Sequence, residues 1–228
     1  MKLTRIMELT GEFASLMKLA KNRDKITLFE GYYDSYQPSP GGVIIRQDNR
    51  FLLNGERLIY EGEADSWKAS PHNSQEIFIA MGNQISINGK EIVLDEEIDA
   101  WFPDTKDPRK LITEKDGEFF CNGGELMCVS ESDDWYPDPT NPKKVIIRLA
   151  DKFLRNGRDL ICECECAKWR PYLRGIVTED PTEYKLYFNG SQLLYEIEDQ
   201  DNFNSWSVHP YGGIIIANTE EIFLVVHR

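Results

Sequence analysis

The residues able to do chemistry in this chain fall into a few groups, and their spacing narrows what each can do. Cys162, Cys164 and Cys166 alternate with Glu163 and Glu165, which puts three sulfurs on one face of a strand. A zinc site folds its thiolates around one ion through a turn such as Cys-x-x-Cys. Alternate strand side chains stand about 6.5 Å apart, too far for a tetrahedron with Zn–S bonds of about 2.3 Å. Small apolar core residues are the better reading of these cysteines. The histidines are His72, His209 and His227, and no Ser-His-Asp or Cys-His order can be assembled around them. Carboxylates abound, so a pair suited to glycoside hydrolysis is available many times over, and nothing selects one. No glycine-rich phosphate loop is present. No metal and no other cofactor is expected.

The carboxylates do follow a pattern. Acidic runs stand at Asp95-Glu96-Glu97, at Glu131, Asp133 and Asp134, and at Glu196, Glu198 and Asp199, with Glu61, Glu63 and Asp65 at the corresponding earlier place. A second series, Asp34, Asp65, Asp99, Asp133, Ala167 and Asn204, lies two residues before a large aromatic. Asp at such a site most simply caps a neighbouring turn through its carboxylate. The first set, taken together, forms an acidic rim if the elements carrying it are arranged radially.

Those elements come from a repeat. Asn-Gly begins at Asn54, Asn88, Asn122, Asn156 and Asn189, at steps of 34, 34, 34 and 33. The five tryptophans, Trp67, Trp101, Trp135, Trp169 and Trp206, step by 34, 34, 34 and 37, and Tyr36 occupies the slot before them. Apolar runs beginning at Val43, Ile77, Leu111 and Val145 keep the same period. Within one unit, Val145–Arg148 is a β-branched strand, Lys152–Arg155 a second, Asp159–Cys164 a third, and the short segment around Trp169 a fourth. Asn156-Gly157 supplies the tight hairpin turn, with period-2 alternation in the strands around it. Four short antiparallel strands repeated every ~34 residues predict an all-β, six-bladed β-propeller.

The sixth unit must be assembled from both ends. Gly213–Ile216 and Ile222–Val226 supply two strands. Lys25–Gly31 resembles Arg57–Gly62, and Asp34–Pro38 resembles the tryptophan strand, so these segments supply the other two. The propeller therefore spans 25–228 with one blade shared between the termini, which protects sheet edges that would otherwise pair with other chains. Residues 1–24 stand outside the repeat. Ile6, Phe13, Leu16, Met17 and Ala20 share one face at helical spacing, which predicts an amphipathic helical segment.

In repeat length and in carrying one Trp per unit, the chain resembles the short-bladed, lectin-type propellers of the tectonin kind. The resemblance is architectural and implies no site residues. It does raise a carbohydrate reading, in which the per-blade aromatics are exposed sugar platforms. The competing reading buries each ring between blades, where it contributes about 150–250 Å² of covered surface.

Composition bounds the partners. The 26 basic residues face 39 acidic ones, a net charge of −13. That balance argues against direct nucleic-acid binding, which needs clustered Lys and Arg. No run approaches the roughly 20 apolar residues of a membrane span. An odd count of five cysteines, three of them crowded together, and an N-terminus without a secretion-type apolar core fit a cytoplasmic chain. The function expected is non-catalytic binding: an acidic protein-interaction propeller, such as an immunity or inhibitor protein for a basic partner. A carbohydrate-binding lectin is the alternative. A hydrolase with acidic catalytic residues is the weakest, because a near-regular repeat spends little sequence on unique loops.

Overall fold

The computed structural model describes residues 25–141, 143–173, 175–180, 182–197, 202–210 and 212–225. The helical segment expected over 1–24, together with Glu198, Asp199 and His227, lies outside them. The described residues form 24 strands and no helix.

The strands make six four-stranded antiparallel sheets, the blades of a six-bladed β-propeller. The first sheet comprises β2 (Ser35–Ser39), β3 (Gly42–Gln47), β4 (Arg50–Leu53) and β5 (Arg57–Glu61). The second has β6 (Ser66–Ala69), β7 (Ile77–Met81), β8 (Gln84–Ile87) and β9 (Glu91–Asp95). The third has β10 (Ala100–Pro103), β11 (Leu111–Lys115), β12 (Glu118–Cys121) and β13 (Glu125–Val129). The fourth has β14 (Asp134–Pro137), β15 (Val145–Leu149), β16 (Lys152–Arg155) and β17 (Asp159–Glu163). The fifth has β18 (Lys168–Tyr172), β19 (Gly175–Glu179), β20 (Lys185–Phe188) and β21 (Gln192–Glu196). The sixth joins β22 (Phe203–Val208), β23 (Ile214–Asn218) and β24 (Glu221–Val225) to β1 (Lys25–Glu30), in the order β1-β24-β23-β22.

This order corrects the expected blade boundary. The tryptophan strand opens a sheet instead of closing the one before it. Asp34–Pro38 therefore does not complete the sheet begun near residue 213: Tyr36 pairs with Ile45 and Pro38 with Val43, inside the first sheet. Only β1 crosses over, pairing Lys25 with Val225 and Thr27 with Phe223. The closure is three strands from one end and one from the other, not two and two. Loop length hides this. The connection from β5 to β6 spans only residues 62–65 yet passes between sheets, whereas 70–76 is a longer hairpin within one sheet.

Contacts divide the chain into two compact units. One contains the described residues of Met1–Ala64, Ala69–Ile77 and Asn202–Arg228; the other consists of Asp65–Lys68 and Phe78–Asp201. In the second, the tryptophans pack between sheets. Trp135, at the head of the fourth sheet, meets Phe119 of the third edge-on, with ring centres 5.1 Å apart. Trp169 of the fifth meets Phe153 of the fourth in the same way at 5.1 Å. In the first unit, Val43, Ile45 and Leu52 share a core with Ile26, Leu28, Ile215 and Leu224.

Second strands depart from the expected alternation. Val145, Ile146 and Ile147 are all buried, as are Ile77, Phe78 and Ile79. A strand in the middle of a blade is covered on both faces, so it reads as a continuous β-branched run. Alternation fades on the outer strands as well, where Leu58, Ile92, Leu126, Leu160 and Leu193 are exposed. The third-to-fourth strand pairs carry a register shift at the same place in five sheets, for example between Phe153 and Leu154. Such bulges twist an edge away from unwanted pairing.

The Asn-Gly turns have a cause beyond backbone freedom. Asn156 and Gly157 both sit at positive φ, 50° and 68°, as the tight hairpin requires. The Asn156 Oδ1 also accepts the backbone N–H of Val145 at 2.9 Å, while the Asn156 N–H donates to the Val145 carbonyl. Asn54, Asn122 and Asn189 make the same side-chain bond to Val43, Leu111 and Ile176. Each turn thereby pins the start of the second strand.

Candidate functional site

The first strands of neighbouring sheets lie side by side where β10, β14 and β18 meet. The residue after each tryptophan shares a face with the residue before it. In the four-sheet unit these positions bring Lys68, Phe102, Tyr136 and Arg170 into one row. The Lys68 Nζ lies 3.9 Å from the centre of the Phe102 ring. The Phe102 and Tyr136 rings are 4.9 Å apart and tilted. The Arg170 guanidinium carbon sits 4.7 Å from the centre of the Tyr136 ring, and one arm of its fork donates to the Trp169 carbonyl at 2.7 Å. All four side chains are half-buried. The order is cation, ring, ring, cation, each cation against a π-face.

The preceding positions add Asp134 and Lys168. Burial, and then the charge of Arg170, lower Lys68 to about 8, with Asp134 acting in the opposite sense. Lys168 is lowered to about 8 by the same two causes, opposed by Glu179. Burial raises the Tyr136 phenol. Like charges are therefore held close together in a partly dry place, inside a chain that is strongly acidic. Such an arrangement favours an anion.

The residues expected to form an acidic rim separate into three classes. Glu61, Glu63, Asp95, Glu96, Glu97, Glu131 and Glu196 are exposed, and they end a fourth strand or lie in the connection that follows it. Asp65 and Asp133 are exposed as well, but each spends a carboxylate oxygen on a turn, accepting the N–H of Gly82 at 2.8 Å and of Ala150 at 2.6 Å. Asp34 and Asp99 do the same for Asp48 and Asp116. The turn-capping role read for this series is thus its geometry in four units. Asp134 leaves the rim: it lies on β14, half-buried, and acts on Lys68 and Tyr136.

The aromatic series is covered. Trp67, Trp101, Trp135, Trp169 and Trp206 are between 0% and 8% exposed. Tyr36 is half-buried, and its hydroxyl accepts a hydrogen bond from Ser205 at 3.1 Å. These slots present no open ring face for a sugar.

Two side-chain arrangements were not legible in sequence. Ser39, Ser70, Asp104, Asp138 and His209, three residues past the aromatic slot, are all buried, and the side chains of Ser70, Asp104 and Asp138 accept backbone N–H groups of the loops that follow. The Asp104 Oδ1 accepts the N–H groups of Lys106 and Asp107, and the Asp138 Oδ2 accepts a hydrogen bond from Arg155 Nε at 2.5 Å. Burial lowers His209 to about 4. The cysteines pack as apolar residues, Cys166 inside a core cluster with Cys162 and Cys164 against it, but the three do not share one extended strand face. Strand β17 ends at Glu163, so Cys164 leaves the extended line and comes within hydrogen-bond reach of Cys162. Burial, with Cys164 beside it, pushes the Cys162 thiol up to about 12; burial is also the main cause that pushes Cys166 up to about 11. Among the described residues, no three His, Cys, Asp or Glu side chains converge as a metal-ligand set. Nor is any helix there long and apolar enough to cross a membrane.

No known family model matches the chain, and no curated protein matches it. Among solved structures, it is similar to the crystal structure of the WD40 β-propeller domain of Doa1 at 12% identity. The likeness covers 91% of this chain and 95% of that one, with a TM-score of 0.40. The architecture here rests on the strand order and pairing themselves.

Proposed function

We propose that this protein is a non-catalytic binding module that docks a basic protein on its acidic inter-sheet connections, in the manner of an immunity or inhibitor protein masking a basic toxin. One observation carries the reading: exposed carboxylates recur at one repeat position, at Glu61 and Glu63, Asp95 to Glu97, Glu131 and Glu196. Within the second unit, the charges of successive sheets at Asp95 to Glu97, Glu131 and Glu196 reinforce one another, so a cationic surface is drawn in and oriented before contact. A carbohydrate reading built on the tryptophans has no exposed ring to use.

The test is an association rate. A partner captured from lysate at low salt is purified, and its binding is timed at two ionic strengths. Wild type should associate more slowly at the higher salt. The triple variant D95K/E96K/E97K should associate more slowly still while keeping its fold, because exposed substitutions cost less than about 0.5 kcal/mol. Equal, salt-independent rates for the two proteins would refute the reading.

A further inference from the structure

We propose that the row formed by Lys68, Phe102, Tyr136 and Arg170, flanked by Lys168, is a binding site for a carboxylate group. It is a site separate from the acidic connections and opposite to them in sign.

The geometry sets the chemistry. Two cations stand at the ends of a pair of touching rings, 3.9 Å and 4.7 Å from the ring centres. The rings fix the two head groups without neutralising them, since a π-face attracts a cation but carries no net charge. Each cation comes from a different first strand, so the strands hold the spacing and little ordering remains to be done when a ligand arrives. The flat guanidinium of Arg170 suits the two oxygens of a carboxylate.

The charge count favours a singly charged ligand. Lys68, Lys168 and Arg170 supply three positive charges, and the carboxylates acting on the two lysines are Asp134 and Glu179. Among these five groups cations outnumber carboxylates by one, which matches a carboxylate better than a phosphate dianion. Mutual repulsion with Arg170 is already expressed in both lysines, and a bound anion would relieve it. In the first and sixth sheets the position after the aromatic carries Gln37 and Ser207, neither a cation nor a ring.

The experiment uses the full chain at fixed ionic strength with three probes: butyrate, an N-acetyl-Ala-Glu-Ala amide peptide with one carboxylate, and inorganic phosphate. Binding is read by calorimetry, and the Lys68 ammonium is followed by carbon NMR of labelled lysine. Butyrate or the peptide should bind saturably and move the Lys68 titration upward from about 8. Tighter binding of butyrate identifies a small acid as the ligand, and tighter binding of the peptide identifies an acidic protein segment. R170Q and K68M should each weaken the better carboxylate at least tenfold, whereas D95K/E96K/E97K should leave it unchanged. That last variant separates this site from the proposed docking of a basic protein. K68M deletes a half-buried charge and keeps the stem, so it retains the fold. Phosphate binding more tightly than either carboxylate would overturn the assignment, as would no saturable binding by any probe, or equal affinity in R170Q and wild type.

Discussion

The Lys68 ammonium rests 3.9 Å from the centre of the Phe102 ring, a partner contributed by the next sheet. It is one of the few basic groups in this acidic chain drawn away from water, and its proton is correspondingly easier to lose. That makes Lys68 a direct link between pH and stability.

Burial and Arg170 bring Lys68 down to about 8 in the folded chain, from 10.5 for the free side chain. Below pH 8 both states are protonated and folding bears the full cost of the confined charge. Between about 8 and 10.5 the unfolded chain still holds a proton that the folded chain has released. Stability from this group therefore rises across that window. Tyr136 and the raised cysteine thiols act in the opposite sense at high pH, so the comparison is made against K68M, where they cancel. K68M should be the more stable protein near pH 7, and the gap should narrow towards pH 10.5. Urea unfolding at several pH values under reducing conditions measures it. A gap that does not change with pH would show that Lys68 is not confined as described.

A second prediction concerns Ala150. It sits at φ 52°, a left-handed conformation, in the turn between β15 and β16. The corresponding turns place Asp48, Gly82 and Asp116 there, residue types that tolerate this region better. Ala150 cannot relax, because its N–H is held by the Asp133 carboxylate and its carbonyl by Arg148 Nε at 3.0 Å. Ala150→Gly keeps both bonds and removes the Cβ conflict. Relief of about 1–2 kcal/mol is partly offset by the greater freedom of glycine in the unfolded chain. The net expected gain is about 0.5–1 kcal/mol, seen as a higher denaturant midpoint at unchanged slope. A loss of stability would show that the turn is not under backbone strain.

The repeat was legible because packing and hairpin turns ask for the same residue type in five of the six blades: Trp in the aromatic slot of all but the first, Asn-Gly at the turn of all but the sixth. The blade boundary was not, because strand order depends on which connection crosses between sheets. Four residues at 62–65 and seven at 70–76 look alike to sequence reasoning except in length, and length points the wrong way. The row of Lys68, Phe102, Tyr136 and Arg170 was hidden for the converse reason. Its position is periodic but its residue types are not, and a search for recurring residues passes over the slot that varies. Variation immediately after the recurring aromatic was the available signal. The acidic rim was read from charge alone, which cannot separate Glu63, open to water, from Asp65, tied to the Gly82 turn, or Asp134, drawn in beside Lys68.

The last prediction separates two reasons for Asn at the hairpin turn. Asn156 holds φ 50° and also accepts the N–H of Val145, a fully buried residue, at 2.9 Å. Asn156→Gly keeps the left-handed backbone without strain and deletes only the side-chain bond. The orphaned buried N–H then costs about 1–3 kcal/mol. Asn156→Ala loses the same bond and must also force a Cβ into the left-handed region, adding about 1–2 kcal/mol. Asn156→Asp keeps an acceptor and tolerates the backbone, so it should fall closest to wild type. The expected order of stability is Asn, Asp, Gly, Ala, measured by urea unfolding of the four proteins. Equal costs for Gly and Ala would mean that backbone conformation does not select the residue. A neutral Asn156→Gly would mean that the bond to Val145 contributes nothing, and the turn would be explained by its dihedral angles alone.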